Sequence, residues 1–413
     1  MLSPRRTRRW TAGWLLLVLA ALFVWLARRP APSGSGSGSG SAGPVIPLPA
    51  APVREAHAAA APLTEEQADL ALALPAPAAP VLPPTPPTVP VPREPWFDLP
   101  TANRSLLGRE LDRFYMFVDR YTPGGKIEVW EGGAYGFVRN PRQTEQGTVY
   151  TKFHEGIDIA PVQRDARGEP LDEVHAIADG TVAYATQSPR SSNYGHYVVV
   201  LHPAGKSGVF FSLYAHLKSI TVTAGTPVRR GALLGQLGYT GAGIDRRRAH
   251  VHLEAGLLLS ERYDQYTVQA REAANPHGNF HGSNLIGMDV AGFLAGHLAD
   301  PALMPDQFLQ REDVYYKVTV PNRGRELELA GRYPWLRQPG AAAASWEISF
   351  TGPGVPVSVS PSSQSVTFAT VTWVKPFPGY HSWNTRSILG GSGNTATLTA
   401  GGNRFLTLVA GDF

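Results

Sequence analysis

From residue 97 onward the chain predicts a mainly β fold of antiparallel sheets in two parts, held behind an N-terminal apolar span and a long linker. Three observations predict it. Short runs rich in β-branched and aromatic residues follow one another between glycine turns, and few helical periodicities interrupt them. Glycine, serine, alanine and proline crowd into residues 28–96, where they cannot build a core. Residues 10–27 carry no charge at all.

Taken in order, residues 1–9 are a short basic tail with Arg5, Arg6, Arg8 and Arg9. WTAGWLLLVLAALFVWLA (10–27) would form a helix of about 27 Å, enough to cross a hydrocarbon core. Trp10 and Trp25 suit the two membrane interfaces, and only Arg28 and Arg29 follow the span. The arginine bias keeps the N-terminus in the cytoplasm and exports the rest, giving a single-pass protein of the cytoplasmic membrane. The alternative is secretion after cleavage of a signal peptide, but Ala27-Arg28-Arg29-Pro30 is a poor cleavage site. Residues 28–96 read as a disordered tether, reaching about 44 Å as a flexible coil and further where proline extends it.

Composition narrows the chemistry. The net charge of +4 over 413 residues comes from the N-terminal arginines, since 31 bases stand against 33 acids after Arg29. A slightly acidic folded part argues against nucleic acid as partner. With no cysteine, disulfides and thiolate metal sites are excluded, and any metal must be held by histidine and carboxylate.

The first folded part, 97–311, has candidate strands FYMFV (114–118), TVAYA (181–185), YVVVLH (197–202), GVFFSLYAHL (208–217), SITV (219–222) and HVHLEAGLLL (250–259), with one helix at DVAGFLAGHL (289–298). The second, 312–413, has YYKVTV, LELAG, ASWEISF, QSVTFATVTWV, TATLTA and RFLTLVA, and reads as a small β-sandwich. Its Trp335, Trp373 and Trp383 fit either an adhesive, carbohydrate-binding face or sandwich core.

Histidines carry the chemical signal. FHEGIDIA sets His154 and Asp158 four residues apart on a loop running into a strand, and the chain has to bend there, with Gly156 permitting it. In AHVHLEA, alternation puts His250, His252 and Glu254 on one strand face with Val251 and Leu253 on the other. His216 ends the apolar strand SLYAHL. Each alone has an ordinary explanation, but together, in a cysteine-free exported domain, they point to a metal site.

The succession FHEGIDIA, VHAIADGTV, NYGHYVVVLHP, LYAHL, GALLGQLGYTG, AHVHLE, preceded by AYGFVRNPR, resembles the lysostaphin-like zinc metallopeptidases, which cleave peptidoglycan peptides. The resemblance covers about Gly132 to Gly256. It implies an antiparallel sheet of the duplicated hybrid motif type and one zinc ion held by His154, Asp158 and His252. It also implies His216 and His250 as catalytic histidines that bind no metal, and peptidoglycan stems as substrate. Glycine bridges or D-alanyl to diaminopimelyl cross-links are both open to such an enzyme, the second preferred here. Three protein ligands leave a fourth position open, as a catalytic zinc requires. His250 is the expected general base and His216 the partner that steadies the oxyanion or delivers the proton.

The remaining candidates are weaker. Glu254 could orient a ligand ring, Asp179 shapes a turn with Gly180, and Tyr194 and His196 could line a groove. His277 and His281 resemble a metal pair only at first sight. Two departures from the family pattern, the loop TGAGIDRRRAHVHLE and the segment RDARGEPLDE, should alter the groove rim, and residues 96–132 are positioned to cover it. The alternative to an active endopeptidase is a catalytically silent module that binds wall or activates an amidase, which should lack ligands that this chain keeps.

Overall fold

Alternation along YVVVLHP explains the central sheet. Tyr197, Val199 and Leu201 pack on one face and Val198 and Val200 on the other, so this strand lies inside a sheet covered on both sides. The computed structural model describes residues 95–413 except 123, 145, 146, 187, 273 and 342, and among 138–152 only the backbone. The expected membrane span 10–27 and nearly all of the linker lie outside the described residues. Among those described, no helix is long and apolar enough to cross a membrane.

Two hairpins open the fold, β1 (Val118–Thr122) with β2 (Gly125–Val129), and β3 (Val138–Thr144) with β4 (Gly147–Phe153). There follow β5 (Ile157–Ile159), β6 (Glu173–His175), β7 (Gly180–Thr186), β8 (Tyr197–Pro203), β9 (Val209–Ala215), β10 (Ser219–Ile220), β11 (Pro227–Val228), β12 (Leu233–Gln236), β13 (Val251–Leu258) and β14 (Leu285–Gly287). Seven of them form an antiparallel sheet in the order β11-β7-β8-β9-β13-β14, with β5 also paired to β13. Strands β10, β12 and β6 form a smaller sheet.

The register positions the chemistry. Val251, Leu253, Ala255 and Leu257 of β13 join the main core, which turns His252 and Glu254 to the other face. Under that face lies a second cluster that includes Tyr197, Val199, Phe211, Leu213 and Ala215. Burying each of the larger apolar side chains stabilises by about 1.5–3 kcal/mol, so a one-residue slip of β13 is strongly disfavoured.

Residues 312–413 depart from the expected sandwich. Strands β15 (Tyr316–Pro321), β16 (Ser345–Phe350), β17 (Pro356–Ser362) and β18 (Thr370–Val374) form one antiparallel sheet in the order β17-β16-β15-β18. Instead of a second large sheet there is the helix Ala400–Ala410, whose Phe405 ring lies 5.9 Å from that of Phe350. RFLTLVA is therefore helical. Thr399 Oγ1 accepts from Gly402 N, Gly411 closes the helix at φ +63°, and Gly402, Leu406 and Val409 fall on one buried stripe. LELAG likewise lies largely in a helix, Glu328–Arg332, and FYMFV is not a continuous strand, because Phe114 ends the helix Leu111–Phe114 and β1 starts only at Val118. The helix expected near 289–298 is Val290–Ala299, with the Asp289 side chain capping Gly292 N. Trp373 is exposed, whereas Trp335 is half-buried and donates from Nε1 to Ser207 O.

The described residues make one compact unit, and the main core runs through both parts. Tyr333, fully buried, receives Leu258 N on its hydroxyl at 2.9 Å and donates to Val209 O at 3.0 Å, tying the C-terminal part to β9 and β13.

Candidate active site

Short connections deliver the first two site residues. His154 follows directly on β4, its N–H bonded to Phe137 O, and Asp158 is the middle residue of β5. The backbone of Asp158 is fixed on both sides, since Met116 N donates to its carbonyl at 2.8 Å and β13 pairs with it in register. Gly156 serves this turn through closeness rather than an unusual backbone angle. A Cβ there would lie 2.3 Å from Leu253 O and 2.8 Å from Glu254 Cγ.

His154, Asp158 and His252, buried to 3%, 1% and 7% exposure, bring one atom each to a common point. His154 Nε2 lies 3.0 Å from Asp158 Oδ1 and 3.1 Å from His252 Nδ1, and His252 Nδ1 lies 2.8 Å from Asp158 Oδ1. The far sides of both rings are occupied. His154 Nδ1 donates to Ala134 O at 2.9 Å and His252 Nε2 to Glu254 Oε1 at 2.8 Å, so each ring turns its other nitrogen to the centre. Burial disfavours a charged His252, but hydrogen bonds and charges from Asp158 and Glu254 outweigh it and hold its pKa at about 9. At neutral pH His252 then carries a second proton between Nδ1 and Asp158 Oδ1, and Nδ1 offers a lone pair once that proton leaves.

His216 and His250 stand beside this triangle. Their ring centroids are 4.9 Å apart, and His216 is 5.8 Å from the His252 ring. His250 Nε2 approaches Asp158 Oδ1 at 3.4 Å. Each ring gives Nδ1–H to a backbone carbonyl, Thr240 O for His216 and Arg248 O for His250, and so keeps Nε2 as an acceptor. Burial and the neighbouring rings of His250 and His252 push the His216 pKa well below 6.5. His216 also has a left-handed backbone, φ +64°, held by its N–H to Tyr194 O, and this sharp turn aims the ring back over the sheet.

The four histidines line a groove of about 910 Å³. Residues 152–262 match the model of peptidase family M23. This stretch is similar to that family. Similar solved structures include the catalytic domain of the prophage-encoded M23 protein EnpA from Enterococcus faecalis (23% identity over 34% of this chain and 80% of that one, TM-score 0.22). Others are the catalytic domain of the antimicrobial peptidase lysostaphin from Staphylococcus simulans (20% identity, 39% and 90%, TM-score 0.24) and a zinc containing peptidase from Vibrio cholerae (22% identity, 34% and 43%, TM-score 0.20). The chain spans less than half the length of the last of these.

Around this groove the other candidates sort as follows. Glu254, 1% exposed, orients His252 and receives the Tyr194 hydroxyl at 2.7 Å. Burial pushes Glu254 up, but the hydrogen bond from His252 and that residue's charge outweigh it and hold the carboxyl below its usual range. Tyr194 lines the groove. Asp179 stands just before β7 and pairs with Arg229 at 2.7 Å. The rings of His277 and His281 lie 5.9 Å apart. His277 bonds the Tyr184 hydroxyl and Ser191 O, and His281 bonds the Tyr263 hydroxyl.

The two departures from the family pattern pack on each other. Arg164 donates to Arg246 O at 2.7 Å and Arg247 O at 3.2 Å, and Arg246 pairs with Glu169 at 3.5 Å. Arg247 binds Asp119 and Glu128 of the first hairpin, whose Val118, Asp119 and Arg120 form a wall of the groove. The residue that sequence reasoning misses is Arg386, which reaches the groove from the C-terminal part. Nothing in NTRSIL distinguishes it, because it is not periodic with any strand.

Proposed function

We propose that this chain is a zinc metalloendopeptidase that hydrolyses peptide cross-links of bacterial peptidoglycan, with His154, Asp158 and His252 as metal ligands and His216 and His250 as catalytic histidines. The observation that carries the reading is the convergence of two ring nitrogens and a carboxylate oxygen within 3.1 Å, with the far nitrogen of each ring held by Ala134 O or Glu254. Two nitrogens and one carboxylate oxygen are a donor set that zinc accepts in a catalytic site. Bound there, zinc supplies Lewis-acid polarisation of a carbonyl and a lower pKa for water.

The chain's own residues supply the proton handling. His250 Nε2 faces the centre as an acceptor, takes a proton from the attacking water and becomes a donor itself. His216, kept neutral by burial, shares that role from beside it, and either ring once protonated meets a developing oxyanion or a leaving amine. Glu254 and Tyr194 hold the His252 ring in the orientation the site needs.

The span 10–27 and the arginine bias around it support a place for this domain outside the cytoplasmic membrane, on a tether to its substrate. The deciding experiment compares the full-length protein with His252→Ala for zinc content and for release of peptides from purified wall. One zinc per chain and cleavage, both lost in the variant, are expected, and mass analysis of the products names the bond. A zinc-loaded protein that leaves every wall preparation intact would overturn the reading in favour of a binding or activating module.

A further inference from the structure

The groove has a wall that lies outside the stretch matching the peptidase family. Arg386 belongs to the C-terminal part, in the turn between the short helix His381–Trp383 and the two-residue strand Leu389–Gly390. Its guanidinium crosses to the peptidase sheet, where Nη2 donates to Glu155 Oε1 at 2.7 Å. Glu155 is the residue directly after His154, so the arginine is moored next to the candidate metal centre. The side chain retains 27% of its exposure and lines the groove.

Two further observations mark this position. Arg386 and Ser387 are consecutive residues in the left-handed region, at φ +52° and +62°, where side-chain-bearing residues are uncommon and glycine would be at ease. The turn is held there by its surroundings. Thr385 Oγ1 donates to His381 O and accepts from Leu389 N, and Thr399 Oγ1 donates to Ser387 O at 2.7 Å. Backbone held in a sparsely populated region recurs at ligand-binding sites. In addition, Arg386 lines a second cavity of about 480 Å³ together with Tyr263, Tyr266, Arg404 and Phe405. Arg386 and Ser283 are common to both cavities, so this arginine stands where the groove continues past the centre.

We propose that Arg386 is a specificity-determining residue that binds a carboxylate of the peptide substrate beside the scissile bond, and that the C-terminal part thereby completes the substrate groove. The inference rests on the cleavage reading for its substrate, a peptide, but not for its test. A guanidinium is suited to the task. It stays charged, it offers a planar fork that matches a carboxylate with two parallel hydrogen bonds, and the Glu155 contact leaves the fork aimed rather than mobile. Glu155 is here a positioning residue, acting through Arg386.

The test uses two probes, a cross-linked peptide dimer from purified wall with its carboxyls free and the same dimer with them converted to amides. Equilibrium binding of both is measured by anisotropy on full-length protein in the His250→Ala background, and cleavage of both is followed with the unsubstituted protein. The free-carboxyl dimer should bind about 10- to 100-fold more tightly, and Arg386→Ala or Arg386→Gln should bring the ratio near one, with Arg386→Lys in between. A purely structural role for Arg386 would weaken both probes alike and leave the ratio standing, which overturns the proposal. So does an absence of discrimination before substitution. If the probes are discriminated through Arg386 but never cut, the catalytic reading falls and this one stands. If both are cut with equal binding, the reverse holds, and failure to bind either removes both.

Discussion

Asp158 and His252 are register partners across β5 and β13, and the carboxylate Oδ1 of one lies 2.8 Å from Nδ1 of the other. The sheet ladder itself thus fixes two of the three converging donors, and the third, His154, is pinned by Ala134 O and Phe137 O. Preorganisation of this kind makes the residues behind the centre measurable contributors.

Glu254→Gln should weaken zinc binding or activity by about 10- to 100-fold without unfolding the domain. The substitution keeps the shape but removes the charge that receives His252 Nε2–H. Competition for zinc against a chelator of known affinity, with a melting curve as control, reads this directly. Unchanged affinity would mean that Glu254 is a packing residue.

Gly156→Ala should destabilise by about 1–3 kcal/mol and disturb metal binding with it. The new methyl would meet Leu253 O at 2.3 Å, forcing β5 away from β13 at the level of Asp158. Denaturant unfolding measures the first effect, and zinc content the second.

Tyr333→Phe should cost about 1–3 kcal/mol, because it strands a buried donor, Leu258 N, and a backbone acceptor, Val209 O, with no replacement partner. One cooperative transition shifted to lower denaturant is expected for residues 95–413. Two separate transitions would show that the halves unfold independently.

His202 gives a pH signature away from the candidate metal centre. It is buried, with Nδ1 donating to Asp179 O and Nε2 hydrogen-bonded to Ser212 Oγ, and burial lowers its pKa to about 4. The unfolded chain, with the ordinary histidine value of about 6.5, binds the proton more readily, so folding is favoured above pH 6.5 and weakened as pH falls toward 4. At about 1.4 kcal/mol per pH unit the loss approaches about 3 kcal/mol. Melts from pH 7.5 to pH 4 should flatten in His202→Gln relative to the parent chain.

Much of this site is legible in the amino-acid sequence because its signals are local. Alternation in AHVHLEA puts His250, His252 and Glu254 on one face, and the glycine after His154-Glu155 announces a tight passage. The features that sequence leaves hidden depend on distant pairing. The left-handed turn at His216 comes from its bond to Tyr194 O, and Arg386 reaches Glu155 across 231 positions of sequence. RFLTLVA reads as a strand because its apolar residues suit either period, while the cues that decide for a helix, Thr399 before and Gly411 after, lie at its edges.

The Tyr333 hydroxyl joins two strands of the peptidase sheet to the C-terminal part through buried hydrogen bonds. Module exchange, in which a cutting unit is recombined with a foreign targeting unit, needs a loosely coupled junction. Among the described residues none exists near residue 312. A chimera cut there would expose the interior of both halves, so the transferable cassette is the whole of 95–413.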